Sequence, residues 1–331
     1  MSESASAAVK PARRGLLRKV MAVMLVAVLL YGGYTVYIGA GKVADALSHF
    51  GWWAFAAACA LAFTNYLLRF LKWEFYLARL DIREIPKLES LLVFLSGFVL
   101  TVTPGKVGEV FKSALLAERR GIPMARTAPI VIADRVTDVI GIAVLIAIGS
   151  AGFAGGLVWA LIGLGLVGTL LIVVASRTLS LGIIGLIARG PASFQRIAPK
   201  LEEAYESLAI LLSPKNLVVP ALISIAAWLC ECMALWVILQ GFGQTTSASL
   251  CLFFYATSTL AGAIVPTPGG LGVTETLLEQ GLTRLGHVHE SFATASMILV
   301  RFATLWFAVL VGFVALSLLG RLPVTARTDS A

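Results

Sequence analysis

Two glutamates each stand 26 residues before an arginine: Glu109 before Arg135, and Glu275 before Arg301. Each glutamate follows a glycine-rich break, Thr103-Pro104-Gly105-Lys106-Val107-Gly108 in one case and Thr267-Pro268-Gly269-Gly270-Leu271-Gly272 in the other. Proline and glycine end a helix, and the glycines leave backbone exposed where the next helix begins. Such an N-terminus offers unpaired N–H groups and a partial positive charge, which suits a phosphate or a carboxylate. Lys106 adds a full positive charge at the first tip. The alternative use of the same glycines is close helix packing. Neither break is a nucleotide-binding loop, because no strand precedes it.

Further charges fall inside apolar stretches. Asp134, Arg135 and Asp138 stand at i, i+1 and i+4, so the two aspartates share a helix face and Arg135 reaches Asp138. Glu231 has no partner near it in sequence. Charges within a membrane span cost several kcal/mol unless paired or hydrated, so they mark either a pathway or a structural ion pair. Glu109–Arg135 and Glu275–Arg301 pairs would serve either purpose.

The elements that must hold these residues follow from composition. Of 331 residues, 59% are hydrophobic and only 13% charged, with a mean hydropathy of +0.91. A soluble domain would carry about a quarter charged residues. Apolar runs near the length needed to cross a bilayer lie at 20–39, 51–71, 127–149, 155–176, 215–240 and 291–319. Two further runs, 88–116 and 250–282, are each broken by a Thr-Pro-Gly triplet into halves too short to cross alone. The expected fold is an all-α integral membrane protein with six full transmembrane helices and two broken, re-entrant hairpins, tolerated only where protein or water lines them.

Charge sets the expected orientation. The net charge is +8, and with the N-terminus inside, nearly all cations between the spans, Arg69, Lys72, Lys112, Arg119 and Arg120 among them, fall on the cytoplasmic side. The outer loops keep Lys42 and Arg284. Both termini are then cytoplasmic in a bacterial inner membrane. Residues 1–19 form a disordered basic arm, 20–320 one membrane domain, 177–214 an amphipathic linker and 321–331 a tail. No basic patch interleaved with aromatics points to nucleic acid. The cysteines and histidines lack metal-ligand spacing, so no metal and no cofactor are expected. Trp52, Trp53 and Trp73 fall near span ends, as an aromatic belt would place them.

In that topology the ordered set of break, glutamate and intramembrane arginine occurs twice in opposite senses. Units 51–149 and 215–319 are therefore inverted repeats, an architecture common in transporters that bind substrate near the midplane.

Four segments, in order, resemble a family: Leu68-Arg69-Phe70-Leu71-Lys72-Trp73, Pro104-Gly105-Lys106-Val107-Gly108-Glu109-Val110-Phe111-Lys112, Asp134-Arg135-Val136-Thr137-Asp138 and Pro266-Thr267-Pro268-Gly269-Gly270-Leu271-Gly272-Val273-Thr274-Glu275. They look like the transmembrane, flippase-like domain of lysylphosphatidylglycerol synthases, over about residues 20 to 320. Lys106 and Lys112 stand where arginine is usual, and lysine lacks arginine's bidentate fork. The resemblance implies movement of an anionic or phosphate-bearing lipid, such as an aminoacylated phospholipid or a polyprenyl-phosphate-linked sugar. Membrane lipids would be the substrate, and envelope-biosynthesis proteins the candidate partners. The aminoacyl-transferase domain of the synthases has no counterpart in this sequence, so no enzymatic activity and no catalytic residue are expected. The candidate translocation site comprises Pro104, Gly105, Lys106, Gly108, Glu109, Lys112, Asp134, Arg135, Asp138, Glu231, Pro268, Gly269, Gly270, Gly272, Glu275 and Arg301. An accessory subunit of a lipid or envelope assembly is the alternative, and a lipid-modifying enzyme using Asp134, Asp138 and Glu109 a more distant one.

Overall fold

Between Trp52 and Arg79 the chain has neither glycine nor proline, and it forms one 28-residue helix. Small residues recur every fourth position on its buried face (Ala54, Ala58, Ala62), which lets another helix approach closely. The computed structural model describes residues 33, 40–102, 108–153, 155–175, 206–265 and 267–323. Its described residues form helices and turns with no strand. The expected arm 1–19, the span at 20–39 apart from Gly33, the first tip at Pro104, Gly105 and Lys106, most of the linker 177–214 and most of the tail lie outside the described residues.

In chain order the longer described helices are α1 (Ala40–Ser48), α2 (Trp52–Arg79), α3 (Lys87–Ser96), α4 (Gly108–Arg120), α5 (Pro129–Ser150), α6 (Gly156–Ala175), α7 (Pro214–Gly241), α8 (Ala248–Ile264), α9 (Val273–Arg284) and α10 (Glu290–Leu319). By length and apolarity, α2, α7 and α10 can each cross a membrane. The two interrupted runs are interrupted in the structure as well. A 3₁₀ turn, Gly97–Leu100, follows α3, and another, Pro268–Gly270, separates α8 from α9.

Helices α2 and α7 pack antiparallel along their length. The Gly51 N–H donates to the Gly241 carbonyl (2.9 Å) at one end, Asn65 Nδ2 donates to the Ala227 carbonyl (2.7 Å) at the middle, and Lys72 Nζ donates to Ser224 Oγ (2.7 Å) further on. Around this pair lie two apolar cores. One joins α1, the start of α2, α5, α7, α8, α9 and the first half of α10. The other joins the end of α2, α3, α4, the start of α5 and the second half of α10. On the outside, Leu157, Val158, Leu161, Leu222, Leu310 and Val314 are exposed. An apolar surface of that kind suits contact with lipid rather than water.

Two features depart from the expected spans. The run read as 51–71 continues as helix to Arg79, because Arg69 and Lys72 are paired within the protein and do not end the apolar segment. The run at 291–319 contains a wide π turn, Phe302–Trp306, directly after Arg301. Single π turns inside helices recur at functional sites.

Close packing depends on glycine where α5 meets α8. A Cβ on Gly149 would lie 2.6 Å from the Phe253 nitrogen and 2.7 Å from the Ser249 oxygen, both backbone atoms that cannot swing aside. Gly149→Ala is therefore expected to destabilise the detergent-purified protein by about 1–3 kcal/mol. Gly165→Ala, whose Cβ meets nothing within 4 Å, is expected to leave the melting temperature unchanged or slightly raised. Equal melting temperatures for the two variants would contradict this packing.

Candidate functional site

Four charged side chains from two helices meet in the interior. Lys72, 0% exposed, places Nζ 2.6 Å from Asp134 Oδ1 and 2.7 Å from Asp138 Oδ1. Arg69, one turn earlier on α2, places Nη2 3.0 Å from the other oxygen of each aspartate. Two cations and two carboxylates thus share one buried cluster, with Ser224 Oγ donating to Asp138 Oδ1 at 3.1 Å. Arg69 and Lys72, read from the sequence as charges between the spans, are thus paired inside the protein. The expected i,i+3 contact on α5 is also present, with Arg135 Nη1 4.0 Å from Asp138 Oδ2, while the aspartates' closer partners are on α2. Trp73, expected in an interfacial belt, is buried instead, with Nε1 donating to Ser90 Oγ (3.2 Å).

Both glutamate–arginine pairs at the 26-residue spacing form. Arg135 Nε donates to Glu109 Oε2 (2.9 Å), and a second guanidinium nitrogen contacts Glu109 Oε1. Arg301 Nε lies 2.6 Å from Glu275 Oε1 in an ion contact without hydrogen-bond alignment, and its Nη2 donates to the Gly269 carbonyl (2.8 Å). The pairs differ in access: Arg135 and Glu109 are 30% and 18% exposed, Arg301 and Glu275 7% and 1%.

The second tip is held by its own residues. Gly269, Gly270 and Gly272 have φ of 61°, 71° and 87°, a region that residues with a Cβ rarely enter. The Gly272 N–H donates to Glu275 Oε2 (2.7 Å). The helix start expected to offer that N–H to a ligand is therefore capped by Glu275, a side chain three residues into the turn. Its positive contribution to the site comes from Arg301. At the first tip, Gly108 begins α4 and Glu109 stands in its first turn.

Glu231, without a partner in sequence, accepts from the Tyr255 hydroxyl (2.8 Å), which lies 3.2 Å from Thr304 Oγ1. The Thr304 carbonyl, within the π turn, accepts from the Tyr66 hydroxyl (2.8 Å). Tyr255 on α8 thus ties Glu231 to the irregular stretch of α10, and Tyr66 ties α2 to the same stretch.

These groups surround one cavity of about 970 Å³, its open mouth included. Glu109, Lys112 and Arg135 line it from the first half, and Glu231, Gly269, Gly270 and Arg301 from the second. Arg69 completes the cationic wall. Asp134, Asp138 and Glu275 stand behind their cations and are not among the lining residues. Gly272 and Gly108 are also outside the lining, and the side chain of Pro268 is not described. Sequence reasoning missed Asn65, Tyr66, Trp228, Tyr255 and Thr259 in the wall. A lone amide, hydroxyl or aromatic in an apolar helix gives no positional signal of its own.

The comparisons bear on most of the chain. The family described as lysylphosphatidylglycerol synthase TM region matches residues 22–312. A UPF0104 membrane protein of Methanothermobacter thermautotrophicus is 24% identical over 322 residues, which cover 90% of this chain and 94% of that relative. The matched residues contain both breaks, both ion pairs and the whole cavity wall, and the chain belongs to the family of membrane proteins defined by the lysylphosphatidylglycerol synthase transmembrane region.

Proposed function

We propose that this protein moves an anionic, phosphate-bearing lipid between the leaflets of a membrane, with the headgroup passing through the cavity and the acyl chains remaining in lipid. The observation that carries the reading is the cavity wall: Lys112 and Arg135 from one half and Arg301 from the other face one space, beside Arg69. Phosphate oxygens are well matched by such cations, arginine giving a paired contact and lysine a point charge.

The two halves are inverted repeats in this reading. Asn65 and Ala227 are each the fourteenth residue of a 28-residue helix, and their hydrogen bond joins antiparallel partners at the middle. A two-fold axis relating α2 to α7 would pass at that point. The breaks α3–α4 and α8–α9 then enter from opposite sides as re-entrant hairpins, and rocking of one half against the other would expose the cavity to each leaflet in turn. Six full crossings, cytoplasmic termini and an inner bacterial membrane complete the proposal. Movement is passive or coupled to an ion gradient, with Glu109, Glu231 and Glu275 as the candidate ion sites, and no covalent bond of the lipid changes.

The test uses purified protein in vesicles with fluorescently labelled acidic phospholipid or polyprenyl phosphate in one leaflet. Wild type is expected to speed transfer at least about tenfold over protein-free vesicles, and Arg135→Gln to remove about a tenfold share of that rate, roughly 1.4 kcal/mol of barrier. Equal rates with and without protein for every lipid, under an imposed proton gradient or none, would sink the reading.

A further inference from the structure

The charges in and behind the cavity wall cancel pair by pair, with two exceptions. Arg69 and Lys72 are matched by Asp134 and Asp138, Arg135 by Glu109, and Arg301 by Glu275. Lys112 and Glu231 remain, one charge of each sign, both buried and both lining the cavity. Among the described residues, neither has an opposite charge at ion-pair distance. Lys112 is held by aromatic faces instead, its ammonium 4.8 Å from the centre of the Phe94 ring and 5.2 Å from that of Trp73. Glu231 is held by a hydroxyl, that of Tyr255 at 2.8 Å.

The charged and titratable groups near Glu231 are Tyr66 and Arg69 of α2, Asp138 of α5, Tyr255 of α8 and Arg301 of α10, with Cys230 and Cys232 beside it on α7. Both arginines are engaged by other carboxylates. What reaches Glu231 directly is a chain of oxygens. Glu231 Oε2 lies 2.8 Å from Tyr255 Oη, Tyr255 Oη 3.2 Å from Thr304 Oγ1, and Thr304 Oγ1 2.8 Å from the Val300 carbonyl. With Glu231 ionised, two hydroxyl hydrogens serve these three contacts. A proton on Glu231 gives each contact its own hydrogen: Glu231 donates to Tyr255, Tyr255 to Thr304, and Thr304 to Val300. The chain ends on both sides of Arg301, so the proton and the cation of the second half act on one stretch of α10.

An anion entering an interior whose fixed charges cancel leaves one negative charge in excess, at a high cost within a membrane. Protonation of a carboxylate removes that excess. Glu109, Asp134, Asp138 and Glu275 would each give up an ion pair by taking the proton. Glu231 would give up none, and its hydrogen-bond chain would be completed. We propose that Glu231 takes up one proton as an anionic headgroup enters the cavity, so that lipid and proton cross the membrane together. This rests on the reading of the cavity as a pathway for anionic lipid, and it names the coupled ion and the residue that carries it.

The full chain, purified in detergent, is mixed in weak neutral buffer with short-chain phosphatidylglycerol, a monoanion, or with short-chain phosphatidylcholine, which has no net charge. An indicator dye reads the proton balance. Wild type is expected to take up about one proton per phosphatidylglycerol bound and none with phosphatidylcholine. Its affinity for phosphatidylglycerol should then rise about tenfold for each unit by which the pH falls, wherever Glu231 is ionised in the empty protein. Glu231→Gln, which fixes the neutral form at nearly the same shape, should take up no proton and bind equally at each pH. Glu231→Asp keeps a carboxyl and should keep the uptake. In vesicles, a proton gradient should shift the final leaflet ratio of labelled acidic lipid about tenfold per pH unit, toward the alkaline side. The ratio reached by Glu231→Gln should not respond to the gradient.

Binding of phosphatidylglycerol by wild type without proton uptake would overturn the proposal, and so would equal uptake with phosphatidylcholine. Uptake that survives in Glu231→Gln and disappears in Glu109→Gln would assign the proton to the first ion pair and overturn it as well. Proton uptake on binding, with no transfer in vesicles, would uphold Glu231 as the proton site and overturn translocation. Transfer without uptake, at a leaflet ratio indifferent to the gradient, would do the reverse.

Discussion

A Lys72→Met variant is expected to lose about 3–5 kcal/mol of stability, the cost of leaving a buried ion cluster with one cation too few. Lys72 is fully buried and contacts both Asp134 and Asp138 at ion-pair distance, with a third contact to Ser224. Methionine preserves most of the volume, so the loss reports charge and hydrogen bonding rather than a cavity. Arg69 would then be the one close cation to two carboxylates in the interior of a membrane protein, with Arg135 only at 4.0 Å from Asp138. Restoring neutrality should restore stability: the double variant Lys72→Met, Asp134→Asn is expected to recover about 1–3 kcal/mol relative to the sum of the single variants. Melting of the four proteins in one detergent closes the cycle. Independent, additive losses would show that the four charges do not act as a unit.

The second large effect is on function, and it requires separating charge from fold. Arg301→Gln alone would strand Glu275, which is 1% exposed, and the protein would be destabilised whatever its role. The neutral pair Arg301→Gln, Glu275→Gln avoids this. It is expected to melt within about 1 kcal/mol of wild type, since a well-packed neutral pair often replaces a buried ion pair at little cost. Transfer of acidic lipid should nonetheless fall by about a hundredfold or more, because the cation in the second half of the wall is gone. Arg301→Lys should lie between, since it keeps the charge and loses the fork that reaches both Glu275 and the Gly269 carbonyl. Wild-type transfer by the neutral pair would make Arg301 a structural residue only.

How far the sequence foretells this arrangement depends on whether the signal is local. The breaks are legible because proline and glycine act on their own neighbours, and helices end at both. The two glutamate–arginine pairs are legible because the same spacing occurs twice, and repetition stands in for knowledge of the fold. The buried pairing of Arg69 and Lys72 is missed for the opposite reason. They stand at the end of an apolar run, where a cation ordinarily meets water, and their carboxylates come from a helix more than sixty positions away. The π turn after Arg301 also has no local mark, since Phe302, Ala303 and Thr304 suit an ordinary helix equally well. Asn65, Trp228 and Thr259 become site residues only when α2, α7 and α8 come together around one space.

The most direct test asks whether lipid moves through that space. Ala263 lines the cavity with an exposed side chain, so a cysteine there can be reached by a bulky, charged thiol reagent. The measurement is the rate of acidic-lipid transfer by Ala263→Cys in vesicles, before and after labelling, with Cys59, Cys230, Cys232 and Cys251 replaced by alanine. Labelling is expected to stop transfer, and reductive removal of the label to restore it. Transfer that continues at the unlabelled rate, with the cysteine fully modified, would contradict the claim that this cavity carries the lipid.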